Sequence, residues 1–198
     1  MSAPAPLNGL VLAGGRSRRF GQDKAALTVQ GKAWLQRAVD LLTPLVNDVF
    51  VSVRPDQRDE ALRSRFPLLV DTLAEGGPPA GLLAAHAQAP AAAWLVIACD
   101  LAALDAAALE TLVAARQSGR DATAYAGPMN GQPEPLCAIY EPVALARLRT
   151  LAEQGGNLSP RDLLVHGDTE LLRPLRVEVL ANVNRPADLE ALQNRGLC

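Results

Sequence analysis

Short apolar runs alternate with helix-like segments along the first 120 residues, and this alternation limits the possible folds more than any other feature. The runs have the length and apolar composition of buried strands and cover residues 7–13, 48–53, 67–71 and 92–100. Helices are predicted over 33–46, over 56–65, from about Pro79, and over 105–117. Strands that alternate with helices predict a three-layer αβα fold with a mostly parallel sheet.

The second part of the chain has a different pattern. The segments "DATAYAG" and "QPEPLCAIY" flank Asn130-Gly131, a dipeptide typical of β-hairpins, which predicts an antiparallel excursion from the parallel sheet. The remaining predicted elements are a helix at 142–154, a helix capped by Ser159, a last strand at 176–183 and a short helix from Pro186. No repeat or linker divides the chain, so a single domain over residues 1–198 is expected.

Composition excludes several classes of function. The net charge of −2 argues against general binding to nucleic acid or to an anionic membrane, because both favour a basic surface. No apolar run reaches the roughly 18 residues of a spanning helix, and the N-terminus lacks the features of a signal peptide. Cys99, Cys137 and Cys198 have no CxxC spacing and predict reduced thiols, so we expect a cytoplasmic protein.

The loop "LAGGRSRRFGQDK" at residues 12–24 follows the first predicted strand and concentrates positive charge. Its glycines allow backbone N–H groups to face an anion, and arginine and lysine side chains suit polyphosphate. It matches neither the P-loop pattern nor G-x-G-x-x-G. Taken alone, it is equally consistent with a glycine-rich turn carrying solvated arginines. The residues concerned are Gly14, Gly15, Arg16, Arg18, Arg19 and Lys24.

Two aspartates end predicted strands. Asp71 follows the third apolar run and Asp100 follows the fourth, so both should lie at the same sheet edge as the loop. Each could instead be a helix cap or a turn residue. Carboxylates that face a cationic loop favour a divalent metal, because Mg²⁺ takes a few carboxylates together with phosphate oxygens. The three elements together predict a site for a nucleoside triphosphate and Mg²⁺.

The stretch "LAGGRSRRFGQDKAAL" resembles the signature of the molybdenum cofactor guanylyltransferases, within the Rossmann-like nucleotidyltransferases. Phe20 stands where that family usually has methionine. The segments "DTLAEGGPPAGLLAA", "WLVIACDLAAL", "PEPLCAIY" and "ANVNRPADLEAL" are also similar to family segments and occur in the same order. The resemblance therefore implies one nucleotidyltransferase domain, with a nucleotide-binding part over about 1–120 and an acceptor-binding part over about 121–198. The signature positions that match are Leu12, Ala13, Gly14, Gly15, Ser17, Arg19, Gly21, Asp23 and Lys24.

The resemblance implies transfer of GMP from GTP to the terminal phosphate of molybdopterin, with release of pyrophosphate and a requirement for Mg²⁺. GTP and molybdopterin would be the substrates, and molybdoenzymes or other cofactor-biosynthesis proteins would be the partners. The implied catalytic residues are Lys24, Asp100 and Arg19, with Asp100 as the metal ligand. The implied nucleotide-binding residues are Leu12, Ala13, Gly14, Gly15, Lys24, Ser52, Asp71 and Asp100. The implied acceptor-binding residues are Glu134, Pro135 and Arg161.

The resemblance also bears on the base and on proton transfer. Related cytidylyltransferases usually read L-A-A-G, so Gly14 and the "DKA" triplet favour guanine. An acceptor phosphate is already ionised near neutral pH, so the reaction needs no general base. His86 and His166 are therefore interpreted as structural or surface residues.

Three alternatives stay open at the level of sequence. The chain could be a related nucleotidyltransferase that uses CTP or a sugar-phosphate or alcohol-phosphate acceptor. It could be a nucleotide-binding protein without catalysis, or a partner-binding subunit that delivers cofactor. The departure at 155–164, where relatives carry paired basic residues and this chain has only Arg161, bears on the identity of the acceptor.

Overall fold

The structure is a computed structural model that describes residues 3–15, 20–29, 31–71, 73, 76–127 and 130–197. Within these residues, the strands are Leu7–Leu12 (β1), Thr28–Val29 (β2), Lys32–Ala33 (β3), Val49–Val53 (β4), Leu68–Val70 (β5), Ala93–Ala98 (β6), Ala122–Ala126 (β7), Pro133–Tyr140 (β8) and Thr169–Leu172 (β9). The α-helices are Trp34–Leu42 (α1), Pro78–Gln88 (α2), Ala106–Ala114 (α3), Pro142–Glu153 (α4), Pro160–Val165 (α5) and Pro186–Gln193 (α6).

Seven strands form one sheet in the order β5-β4-β1-β6-β8-β7-β9. Strand β8 runs antiparallel to both of its neighbours, and the other pairings are parallel. Strands β2 and β3 form a separate antiparallel pair. The predicted fold class, a mostly parallel αβα sheet with an antiparallel excursion, is therefore confirmed.

Two hydrophobic layers cover the two faces of the sheet, because successive residues of a strand point to opposite sides. In β6, Leu95 and Ile97 pack against the layer formed with α1 and α3. Trp94 and Val96 belong to the opposite layer, which contains residues of α2, α4 and α5. Strand β6 is buried along its whole length, which explains its uninterrupted apolar sequence.

Helix α2 lies very close to the carboxyl ends of the central strands. A Cβ atom on Gly81 would be 2.6 Å from the Leu12 Cδ2 atom and 2.6 Å from the Ser52 hydroxyl oxygen. Only glycine allows this approach without a shift of the neighbouring atoms. The residue before the helix, Gly77, has a φ angle of 84°, which side chains rarely adopt.

Two predicted elements are wrong. Residues 56–65 do not form an exposed helix; they contain two 3₁₀ turns, Pro55–Gln57 and Arg63–Arg65, and the Arg63 side chain turns inward. The last strand of the sheet is β9, which the sequence reading missed, and residues 177–180 form a 3₁₀ helix instead of a strand. In both places long-range contacts outweigh the local pattern.

The described cysteines are unpaired thiols. Cys137 is buried and Cys99 is half-buried, while Cys198 lies outside the described residues. Burial, together with the neighbouring Asp100 charge, raises the pKa of Cys99 to about 12, so this thiol is protonated at neutral pH. Among the described residues, no helix has the length and apolar character needed to cross a membrane.

His86 should make the free energy of unfolding depend on pH. Its side chain is buried in α2, and its Nδ1 atom has no hydrogen-bond partner within the described structure. Burial, aided by the positive charge of Arg149, holds the pKa of His86 below its usual 6.5. The unfolded chain therefore binds this proton more readily, and stability should fall as the pH drops below 6.5.

The measurement is urea denaturation between pH 7 and pH 5. Replacing His86 by leucine should remove up to about 1.4 kcal/mol per pH unit from the slope of stability against pH. The control is His166→Gln, since the His166 side chain is exposed and its loss leaves the buried imidazole in place. An unchanged slope in the His86 variant would contradict this assignment.

Candidate active site

A cavity of about 540 Å³ opens at the carboxyl edge of the parallel strands β1, β4 and β6. In the sheet register, Leu12 is level with both Ser52 and Ala98, so these three strands end together. The chain leaving each strand end therefore contributes to the same wall. The cavity is lined by all eight residues predicted to bind the nucleotide: Leu12, Ala13, Gly14, Gly15, Lys24, Ser52, Asp71 and Asp100.

The glycine turn begins where β1 ends. The Ala13 N–H donates to the Ser52 carbonyl oxygen at 3.0 Å, which keeps the turn against β4. A Cβ atom on Gly14 would be 3.2 Å from the Asp71 carboxylate and 3.6 Å from the Arg54 Cγ atom. Gly14 thus allows close packing against these side chains, and it does not have a positive φ angle. Gly15 faces open space.

Lys24 and Asp100 meet in the wall of the cavity. The Lys24 ammonium lies 2.5 Å from the Asp100 Oδ2 atom, although the residues are separated by 76 positions in the sequence. Both side chains are largely buried, with exposed fractions of 13% and 19%. Asp23 caps the short 3₁₀ helix Lys24–Ala26 by accepting a hydrogen bond from the Ala25 N–H, and this cap sets the start of the segment that carries the lysine.

The segment after residue 180 completes the wall around this ion pair. The Val183 N–H donates to the Asp100 carbonyl oxygen at 3.1 Å, and the Val183 carbonyl oxygen accepts from the Lys24 ammonium at 3.0 Å. Lys24 also donates to the Asn184 side-chain oxygen at 3.3 Å. Sequence reasoning did not select Asn184 as a site residue. The available signal was the "ANVN" segment, which resembles a family motif.

Asp71 forms another part of the cavity wall. Its side chain is 4% exposed, and its Oδ1 atom accepts a hydrogen bond from the Ser52 hydroxyl at 2.7 Å. Burial raises the pKa of Asp71 above the usual range, and the Ser52 hydrogen bond and the Arg54 charge only partly oppose this effect. The site therefore contains two aspartates in different environments: Asp100 in an ion pair and Asp71 held by a hydroxyl.

The predicted acceptor residues lie outside the cavity wall. Leu136 lines the cavity, whereas Glu134, Pro135 and Arg161 are not among the described residues that do. Glu134 is half-buried and Arg161 is exposed. Burial raises the pKa of the Glu134 carboxyl, and the charges of Arg161 and Asp100 act on it in opposite directions. Glu134 is thus within electrostatic reach of both Arg161 in α5 and Asp100 in the cavity wall.

The remaining predicted catalyst, Arg19, lies outside the described residues, as do Arg16, Ser17 and Arg18. The functional roles assigned to all of these residues stay predictions.

The donor set of the cavity suits a cation that takes most of its ligands from a substrate. Within the described part of the chain, no group of three or more His, Cys, Asp or Glu residues could hold a metal alone. Asp71 and Asp100 nevertheless line one cavity, and a cationic group, the Lys24 ammonium, already lies against Asp100. One or two carboxylates combined with phosphate oxygens form the usual environment of Mg²⁺.

The fold is that of the Rossmann-like nucleotidyltransferases. The chain superposes on the crystal structure of molybdopterin-guanine dinucleotide biosynthesis protein A from Archaeoglobus fulgidus with a TM-score of 0.76 and 24% identity, covering 96% of this chain and 98% of that one. A second solved structure, Rv0371c from Mycobacterium tuberculosis in complex with manganese, matches with a TM-score of 0.69 and 16% identity, covering 96% and 99%. These likenesses establish the fold.

Residues 9–171 match the model of the MobA-like NTP transferase domain, and the chain belongs to this family. It is 40% identical to a molybdenum cofactor biosynthesis bifunctional protein of Synechocystis, over 92% of this chain and 52% of that protein. The chain thus spans about half the length of this relative. It is 32% identical to a probable molybdenum cofactor guanylyltransferase of Nostoc, over 94% of this chain and 90% of that protein.

Proposed function

We propose that the protein transfers GMP from GTP to the terminal phosphate of molybdopterin and releases pyrophosphate. The names of the relatives support the substrates, and the fold supports the class of reaction. The single observation that carries the proposal is the approach of Lys24 to Asp100 beside the glycine turn in one cavity. This arrangement combines backbone N–H groups, an ammonium and a carboxylate where a triphosphate would bind.

The reaction joins an oxygen of the acceptor phosphate to the α-phosphorus of GTP and breaks the bond to the pyrophosphate group. The chain contributes mainly positioning and charge. The glycine turn holds the triphosphate, and Lys24 exchanges its contact with Asp100 for phosphate oxygens. The acceptor phosphate is ionised near neutral pH, and none of the described residues lining the cavity is histidine. The protein therefore does not have to remove a proton from the nucleophile.

Asp100 is the residue that would hold Mg²⁺, with Asp71 as the second carboxylate of the cavity. When bound, Mg²⁺ neutralises phosphate charge that develops during the transfer. Val183 keeps the strand end at Asp100 in place through its backbone hydrogen bond, so the carboxylate faces the cavity. Glu134 and Pro135 would form the acceptor side with Arg161, next to Leu136 of the cavity wall.

The proposed setting is the cytoplasm, where the two unpaired described thiols stay reduced. The partners proposed for the product are molybdoenzymes or other proteins of cofactor biosynthesis.

The direct test is the release of pyrophosphate from each of four nucleoside triphosphates, with and without molybdopterin and with Mg²⁺ present. We expect release from GTP only when molybdopterin is present. Release from CTP, or with a sugar phosphate instead of molybdopterin, would identify a related transferase. Absence of release from every combination by a folded protein that binds GTP would show a nucleotide-binding protein without catalysis.

Gly14 should influence the choice of nucleotide. A methyl group at this position would lie 3.2 Å from the Asp71 carboxylate, so this side chain of the proposed nucleotide site would have to shift slightly. We expect Gly14→Ala to lower kcat/KM for GTP about tenfold, because small misplacements at a positioned site are costly. Steady-state rates with GTP and with CTP would show whether their ratio changes.

The matched control is Gly119→Ala, since a Cβ atom there would meet no atom within 4 Å and the residue lies outside the cavity wall. This control should retain the rates of the unmodified protein. Equal kcat/KM values for GTP in the Gly14 variant and the control would contradict the close-packing role of Gly14.

A further inference from the structure

Arg63 is among the most deeply buried side chains of the described structure, with an exposed fraction of 1%. It belongs to the short 3₁₀ turn Arg63–Arg65, outside every motif that led to the site. Its guanidinium donates to both oxygens of Asp23, at 2.6 Å and 3.0 Å, and to the Ala13 carbonyl oxygen at 3.0 Å. A further ion pair joins it to Glu60.

The partners of Arg63 stand at the two ends of the loop predicted to hold phosphate. Ala13 directly precedes Gly14, and Asp23 directly precedes Lys24. One planar guanidinium therefore connects the start of the glycine turn to the residue that caps the lysine-bearing 3₁₀ helix. Because the fork of an arginine has a fixed geometry, its contacts restrict the separation of the groups it joins.

The electrostatics of Asp23 agree with this geometry. Burial alone would raise the pKa of Asp23, but the hydrogen bonds and the charge of Arg63 outweigh it and hold the pKa below the usual range. The Arg63 Nε atom is buried without a hydrogen-bond partner in the described structure. A buried ion pair is often no more stable than an apolar replacement, so the burial of Arg63 is not by itself explained by stability.

We propose that Arg63 is a positioning residue for nucleotide binding: by joining Ala13 to Asp23, it sets the distance between the glycine turn and the Lys24 ammonium. This inference rests on the proposed function, in which both groups contact the triphosphate. Arg63 itself is absent from the cavity wall among the described residues, so it acts through the groups that it holds.

The protein contains a matched control for this arrangement. Arg116 donates to both oxygens of Glu141, at 2.6 Å and 3.0 Å, and to the Ala5 carbonyl oxygen at 2.8 Å. These contacts correspond to those of Arg63 with Asp23 and Ala13, without a counterpart of the Glu60 ion pair among the described residues, and they lie outside the cavity wall. Arg63→Met and Arg116→Met thus each remove a two-oxygen contact with a carboxylate and one hydrogen bond to a backbone carbonyl, and Arg63→Met removes the Glu60 ion pair in addition.

Steady-state kinetics with GTP distinguishes a role of Arg63 in positioning the site from a role in the stability of the fold alone. We expect Arg63→Met to lower kcat/KM for GTP about a hundredfold, chiefly through KM, and Arg116→Met to change it by less than about threefold. Arg63→Lys should fall between Arg63→Met and the unmodified protein, because an ammonium keeps the charge but lacks the fork. Equal losses in the two methionine variants, or full activity in Arg63→Lys, would overturn the proposal.

A second variant keeps the test valid where Arg63→Met does not fold. Asp23→Asn preserves the size of the side chain and an oxygen that can cap the 3₁₀ helix, but it removes the charge that Arg63 binds. It should raise KM in the same way. The double variant Arg63→Lys with Asp23→Asn should lose no more kcat/KM for GTP than whichever single variant loses more. Additive losses would show that the two residues act separately and would overturn the proposal.

Two measurements without turnover distinguish this inference from the proposed function. Hydrogen exchange of the segments 12–15 and 24–27 should be faster in Arg63→Met and unchanged in Arg116→Met. Calorimetry with inorganic pyrophosphate should show weaker binding in Arg63→Met only. If the unmodified protein forms no product from GTP, the proposed function fails, while these two measurements still decide whether Arg63 holds the phosphate loop. Unchanged exchange or unchanged pyrophosphate binding would contradict it.

Discussion

Asp100→Asn should lower kcat for the proposed guanylyl transfer by about a thousandfold while the protein stays folded. Asparagine has the same size, so Lys24 keeps its contacts with the Val183 carbonyl and the Asn184 side chain, and the wall of the cavity is preserved. What is lost is the negative charge that would hold Mg²⁺ beside the phosphates. The measurement is the rate of pyrophosphate release at saturating GTP over a range of Mg²⁺ concentrations.

The Lys32–Asp40 ion pair provides the control for this substitution. The Lys32 ammonium lies 2.7 Å from the Asp40 carboxylate, but both side chains are much more exposed than those of the cavity pair. Asp40→Asn should leave kcat unchanged, because exposed ion pairs contribute little to stability and this one is not part of the cavity wall. A folded Asp100→Asn protein with kcat within tenfold of the unmodified enzyme would remove the metal role assigned to Asp100.

Lys24→Met should lower kcat/KM for GTP by about a hundredfold or more, with an increase in KM. Methionine keeps an unbranched side chain but removes the positive charge, so the triphosphate loses a direct counter-charge. The variant also leaves the Asp100 carboxylate without the ammonium that lies against it. Initial rates over a range of GTP concentrations, at two ionic strengths, would measure both parameters and the contribution of charge.

Lys32→Met is the corresponding control, because it removes the cation of the exposed pair and should leave both kinetic parameters unchanged. The two substitutions in the cavity should differ in the kinetic parameter that they change as well as in the magnitude of the change. Asp100→Asn should change the dependence on Mg²⁺, whereas Lys24→Met should change the dependence on GTP. If Lys24→Met retained the KM of the unmodified protein, the ion pair between Lys24 and Asp100 in the unmodified protein would have only a structural role.

Several features of the fold could be predicted from the sequence because they have local signatures. The uninterrupted apolar run that became β6 is buried on both faces, and Asn130-Gly131 lies in the connection between the antiparallel strands β7 and β8. The prediction failed at β9, which is only four residues long, and at residues 56–65, whose charged sequence suggested an exposed helix. The sequence of a short edge strand has no periodic pattern that distinguishes it from a loop. Likewise, no such pattern distinguishes a buried arginine from an exposed one.

The sequence by itself determined that the glycine turn, Asp71 and Asp100 would share one sheet edge, because each follows a strand and parallel strands end on the same side. Only the tertiary structure decided which groups complete the site. Arg63 reaches Asp23 across 40 residues and Val183 reaches Lys24 across 159. Contacts at such separations depend on how the helices and loops pack around the sheet. They cannot be predicted from the local sequence around either partner.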